Sequence, residues 1–215
     1  MRLWIAVCTA LVAPACQQPA AAPKEQSAPP TAAPERTSEV PGAARFESPR
    51  AVYKRYAETL NASQWADAIA LFTPSGKAEL VLANFKGLAV LPGSPHPKKN
   101  EFKAVMREFC QSHALRCADD KWNETFAPTL LAGGNVTTML SDLANLAKAK
   151  PEATYIEIMK LVTGVDQSSV MALDPTLTEV RYDQNKATGT ARRADGQTTT
   201  MSFENTRDHG WMIVE

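Results

Sequence analysis

The chain has 215 residues, 23 Lys plus Arg against 23 Asp plus Glu, and 44% hydrophobic residues. A formal net charge of zero lacks the basic excess that nucleic acid or an anionic membrane surface demands of a protein. The length leaves room for one domain with its own core.

The chain opens with a targeting signal. Arg2 precedes a short apolar stretch, Leu3–Val12, well below the roughly 20 residues that cross a bilayer as a helix. Residues 1–15 read as a signal peptide, and Ala13-Pro14-Ala15 then precedes Cys16. Two readings stand: an ordinary Ala-x-Ala cleavage with Cys16 incidental, and a lipoprotein cleavage site. The small residues, the Cys and the polar run after it resemble bacterial lipoprotein signals. That resemblance implies a diacylglycerol thioether on Cys16, often with an acylated amine. At about 0.8 kcal/mol per buried methylene, two or three chains anchor stably. Gln17 after the Cys is not an acidic retention residue. By the same resemblance this implies the outer membrane, with the protein facing the periplasm.

Residues 16–47 carry the lipidated Cys and a Pro/Ala-rich linker without apolar periodicity, a composition that cannot offset its chain entropy by burial. It would hold the domain away from the membrane. Residues 48–215 form that domain and keep 19 basic and 19 acidic residues.

Ser48-Pro49 predicts a helix start, with a hydroxyl cap and Pro in the first turn. Val52, Tyr53, Tyr56 and Leu60 make its apolar stripe. Asn61-Ala62-Ser63 breaks it. A short helix carries Trp65, Ile69 and Phe72, and Thr73-Pro74 starts another with Leu80, Val81, Asn84 and Leu88. Leu91–Lys98 reads as a loop. Asn100 is expected to cap an amphipathic helix bearing Phe102, Val105, Met106, Phe109 and Cys110. A turn or short helix is expected at Lys121–Phe126, and helices at Asn135–Lys150 and from Pro151 to Gly164.

The end of the chain changes period. Alternation predicts strands at Leu177–Tyr182, Lys186–Arg192, Thr198–Asn205 and Trp211–Val214, with a further one at Val170–Leu173 ended by Asp174-Pro175. Leu177 and Val180 fall on opposite faces in that reading. Asp195-Gly196 predicts a type I′ hairpin. Ala187, Gly189 and Ala191 share a face, leaving room for a packed helix or a pocket. Helices followed by consecutive strands predict an α+β fold, with the N-terminal helices sheltering their apolar faces on a C-terminal antiparallel sheet.

The Ser48-Pro49 helix start, the segment Gln64-Trp65-Ala66-Asp67-Ala68-Ile69-Ala70-Leu71-Phe72 and the closing Gly210-Trp211-Met212-Ile213-Val214 resemble the NTF2-like superfamily, also called SnoaL-like or cone-shaped. The narrower resemblance is to bacterial lipoproteins that carry such a domain. It covers about Ser48–Leu82 and Val170–Val214, with a more helical stretch between. The resemblance implies a sheet with a concave face. The superfamily holds isomerases, dehydratases, hydrolases and non-catalytic binders, so the fold does not choose among them.

Candidate chemistry is sparse. With Cys8 removed and Cys16 lipidated, Cys110 and Cys117 remain, and an even pair in an oxidising compartment predicts a disulfide. Seven residues of continuous helix rise about 10.5 Å, beyond the roughly 7 Å Cα span of a disulfide. The helix must therefore end near Gln111–Ser112 and the chain must fold back. Cys110, His113 and Cys117 with Asp119 or Asp120 could instead offer zinc ligands, although the spacing fits no familiar zinc motif. No metal, cofactor or catalytic residue is therefore assigned. His96 and His209 lack a triad-like arrangement. Tyr53, Tyr56, Trp65 and Tyr182 could line a pocket mouth, and Asp174 and Asp183 read as turn residues. The expectation is a non-catalytic envelope domain, tethered to the membrane by its lipid, that binds a protein or small-molecule ligand. A small hydrolase or isomerase and a structural envelope component are the alternatives.

Lipidation predicts that the mature protein partitions into detergent and that Cys16→Ala moves it to the aqueous phase. Phase separation followed by mass analysis of the N-terminal peptide checks this. An aqueous wild type with an unmodified Cys16 contradicts it.

Overall fold

The computed structural model describes residues 45–115, 140–170 and 172–214. Within them the fold is α+β, six α-helices followed by a four-stranded antiparallel sheet. The helices are α1 (Pro49–Asn61), α2 (Trp65–Ala70), α3 (Pro74–Val90), α4 (Lys99–Ser112), α5 (Ser141–Ala149) and α6 (Pro151–Val165). The strands are β1 (Leu173–Asp183), β2 (Lys186–Arg193), β3 (Thr198–Thr206) and β4 (Gly210–Ile213), a meander in the order β1-β2-β3-β4. The signal peptide, Cys16, most of the linker and the Lys121–Phe126 turn lie outside the described residues, as do residues 135–139 of the helix expected at Asn135–Lys150; in the described residues that helix begins at Ser141, after Leu140, and ends at Ala149.

Local chemistry accounts for the helix starts. The Ser48 hydroxyl accepts from Ala51 N–H at 3.2 Å, and the Thr73 hydroxyl accepts from Gly76 N–H at 3.1 Å. Each cap is followed by a proline, and each satisfies an orphan donor worth about 1 kcal/mol. α4 begins at Lys99 rather than being capped by Asn100. The helix from Pro151 passes Gly164 by one residue, to Val165. Leu91–Gly93, within the expected loop, forms a single 3-10 turn.

The helices do not all lean on the sheet. α1 lies on it, against β1 and β4. α3 packs against α5 and α6, and α2 and α4 also pack on α6. α3 explains the difference: Leu80, Val81, Phe85, Leu88 and Ala89 point in several directions and are all buried. Side chains buried on several sides of one helix need other helices, not one sheet face alone, to cover them.

β1 departs from simple alternation at two places. It runs without interruption from Leu173 through Asp174-Pro175, so Leu173 belongs to β1 and Asp174-Pro175 does not end a strand there. The register from Leu173↔Arg193 to Leu177↔Ala191 shows that β1 carries extra residues there. A second irregularity lies between Thr178↔Thr190 and Arg181↔Thr188, where Glu179 has φ 49. One extra residue in a strand resets which side chains share a face. Leu177 is buried and Val180 packs against the same core, although a period of two would separate them.

The Asp195-Gly196 turn also differs from expectation. Only Gly196, at φ 87, has positive φ there. Arg193 N–H bonds Gln197 O at 2.8 Å and Gly196 N–H bonds Arg193 O at 2.9 Å. This is a three-residue loop closed by a glycine bulge, not a type I′ turn.

The space over the small residues of β2 is filled. Ala187 and Ala191 are buried, and a Cβ on Gly189 would meet the Leu177 side chain at 2.8 Å. Gly189→Val should therefore lower stability by about 1–3 kcal/mol in urea unfolding. The loss in Gly189→Val/Leu177→Ala should be smaller than the sum of the single losses, because both side chains claim one volume. Strict additivity would contradict this packing.

Candidate functional site

The anchor of α1 on β1 is polar. The Asn61 side chain donates to Leu173 O at 2.9 Å and accepts from Leu173 N–H at 3.0 Å. The Tyr53 hydroxyl donates to Asp174 O at 2.8 Å, and Arg50 Nε donates to Leu177 O at 3.4 Å. The irregular first half of β1 turns these backbone groups toward the helix. The Asp174 carboxylate accepts from Thr176 N–H at 2.8 Å, and that bond holds its pKa below the usual carboxylate value. It lies within β1 and not in the turn the sequence indicates; its carboxylate bonds the backbone of the irregular stretch.

Tyr53 and Tyr56 from α1 and Tyr155 from α6 form a chain of phenols in the core. All three are buried. Burial, with the Asp174 charge as a second cause, pushes Tyr53 up to about 12. Burial and then Tyr53 raise Tyr56, and burial and then Tyr56 raise Tyr155. At neutral pH these groups are uncharged O–H donors and poor bases. Tyr56 also meets Phe72 edge-on, with centroids 5.2 Å apart.

The four residues expected at a pocket mouth separate into two places. Tyr53, Tyr56 and Trp65 belong to the buried core. Tyr182 sits at the end of β1 opposite Ala187 and is 56% exposed. Its ring meets Trp211 of β4 edge-on at 5.7 Å. The two strands are the opposite edges of the sheet, about 14 Å apart at three strand spacings, so these two rings bridge the sheet's end.

Two imidazole–carboxylate pairs also join α4 and the loop before it to α6. His113 Nε2 lies 2.8 Å from Glu157 Oε2, and His96 Nε2 lies 3.4 Å from Asp166 Oδ2. Their partners are 44 residues or more away in sequence, so spacing could not reveal them. Asp166 is held below the usual carboxylate value, first by the Ser168 hydroxyl and also by Lys98 and His96. Cys110 is fully buried on the last turn of α4, while Cys117, Asp119 and Asp120 lie outside the described residues. Among the described residues, no cluster of three or more His, Cys, Asp or Glu could hold a metal ion, and no helix is long and apolar enough to cross a membrane.

No protein-family model, curated protein or solved structure matches this chain.

The phenol chain predicts an alkaline limb of stability. Unfolded tyrosines ionise from about pH 10, whereas Tyr53 keeps its proton to about 12. The contribution is therefore complete below pH 10 and is lost as pH rises toward 12. Tyr53→Phe should flatten that limb and, through the lost bond to Asp174 O, cost about 0.5–1.5 kcal/mol at neutral pH. Urea unfolding across pH 8–12 measures both, and an unchanged limb in the variant contradicts the assignment.

Proposed function

We propose that this chain is a lipid-anchored, non-catalytic domain of the cell envelope, at the outer membrane facing the periplasm. It binds its partner on the outside of the fold. The single observation that carries the surface reading is Tyr182, the one large apolar side chain left exposed among the described residues, braced on Trp211. An aromatic ring already fixed by a neighbour loses little freedom on binding, which suits an interface anchor. The filled space over Gly189 supports a surface over a concave cavity.

The tether is supported by the signal-like start and Cys16 of the sequence. Phe46, at the end of the expected linker, bridges Gly210 of β4, so the linker would meet the domain beside this edge of the sheet. An NTF2-like assignment belongs to the same proposal. Its support is a Ser-Pro-initiated helix lying on a closing antiparallel meander.

The proposal includes a Cys110–Cys117 disulfide. One observation favours it: the chain folds back where the bridge requires. α4 ends at Ser112, Ala114 has φ 51, and Leu115 N–H bonds Cys110 O at 2.8 Å. Mass mapping without reductant should recover the two cysteines in one linked pair of peptides. Alkylation of both without reductant contradicts the bridge.

A photo-crosslinking residue at position 182, in the membrane-tethered protein, tests the surface. It should give a discrete adduct that the same residue at Lys54, on the exposed side of α1, does not give. No adduct at 182, or the same adduct at both positions, contradicts the reading.

A further inference from the structure

α4 is fastened to α6 at both ends, and the two fastenings respond differently to protons. At the start, Lys98 Nζ donates to Val165 O at 2.7 Å, and the His96 ring meets Asp166 while lying edge-on to Phe102. Lys98 N–H donates to His96 Nδ1 at 3.1 Å. A ring nitrogen that accepts a hydrogen bond carries no proton, so the neutral tautomer already presents Nε2–H to Asp166. Protonating Nδ1 would set two donors against each other. The charge gained toward Asp166 is thus opposed by the bond lost to Lys98.

At the other end, the groups facing His113 among the described residues are the Glu157 carboxylate on α6 and the Phe109 ring on its own helix. His113 also terminates α4, its N–H bonded to Phe109 O at 3.2 Å. A helix C-terminus favours a cation. An imidazolium–carboxylate bond is stronger than the same bond from a neutral ring.

We propose that His113 and Glu157 form an acid-strengthened latch between the C-terminal end of α4 and α6, whereas at His96 the gain toward Asp166 is opposed by the bond lost from Lys98. The latch tightens the docking of Met106, Phe109 and Cys110, which α4 buries, once the His113 ring carries its second proton.

Native-state hydrogen exchange of the full chain tests this, with rates corrected for intrinsic pH dependence. Protection of the Met106–Cys110 amides should rise about fivefold between about pH 7.5 and about pH 5, the gain from neutral to charged hydrogen bonding at a partly exposed pair. His113→Gln and Glu157→Gln should each abolish that ratio, whatever they do to overall stability. His96→Gln should retain it. An unchanged wild-type ratio, the same ratio in His113→Gln, or its loss in His96→Gln would overturn the proposal.

Discussion

The edge of β4 is where the two halves of the fold become one. Thr73 N–H bonds Ile213 O at 2.8 Å, and Ile213 N–H bonds Leu71 O at 3.0 Å. Further along, Trp211 N–H bonds Phe46 O at 3.0 Å and Phe46 N–H bonds His209 O at 3.3 Å. The last strand is thus paired on its outer side by the α2–α3 junction and by the segment entering α1. An unpaired edge would offer free backbone groups to another chain. Here those groups hold the helical layer to the sheet.

Two glycines permit that closure. Gly210 has φ 70, and a Cβ there would collide with the Phe46 carbonyl. Gly76, in the first turn of α3, lies where a Cβ would strike the Val214 carbonyl. The Thr73 hydroxyl caps Gly76 while its backbone N–H bonds Ile213. One residue therefore starts a helix and completes a sheet. All four residues of β4 are buried, which a terminal strand achieves only when covered along its edge as well as on its face.

What the sequence shows depends on the range of the interaction. Ser48-Pro49 and Thr73-Pro74 are readable because a cap and its donor lie three residues apart. The strands of the meander are readable because alternation and turns are local. Asn61 is not. It looks like a helix breaker, yet its amide grips Leu173, 112 residues away. The bulge at Glu179 is equally silent, because positive φ at a glutamate has no compositional mark. Missing it puts Leu177 and Val180 on opposite faces. α3 misleads for another reason, since a helix with apolar residues on several sides shows only that it is buried, not by what.

The candidate site follows the same division. Tyr53, Tyr56, Trp65 and Tyr182 are identifiable as aromatic residues worth watching, but their separation into a core chain of phenols and one exposed ring depends on tertiary packing. The ring of Tyr182 is isolated from the other three and owes its position to Trp211 on the far edge. The imidazole–carboxylate pairs of α4 and α6 depend on the packing of those two helices and are invisible to any local motif.

The most direct measurement is hydrogen exchange at the Thr73 and Ile213 amides, compared with global stability from denaturant unfolding. If the β4 edge joins the two layers, both amides exchange only through global unfolding, with an opening free energy equal to that of the whole domain. If they exchange through a low-energy local opening, as a frayed terminal strand does, the sheet and the helices are not united at this edge and the account fails.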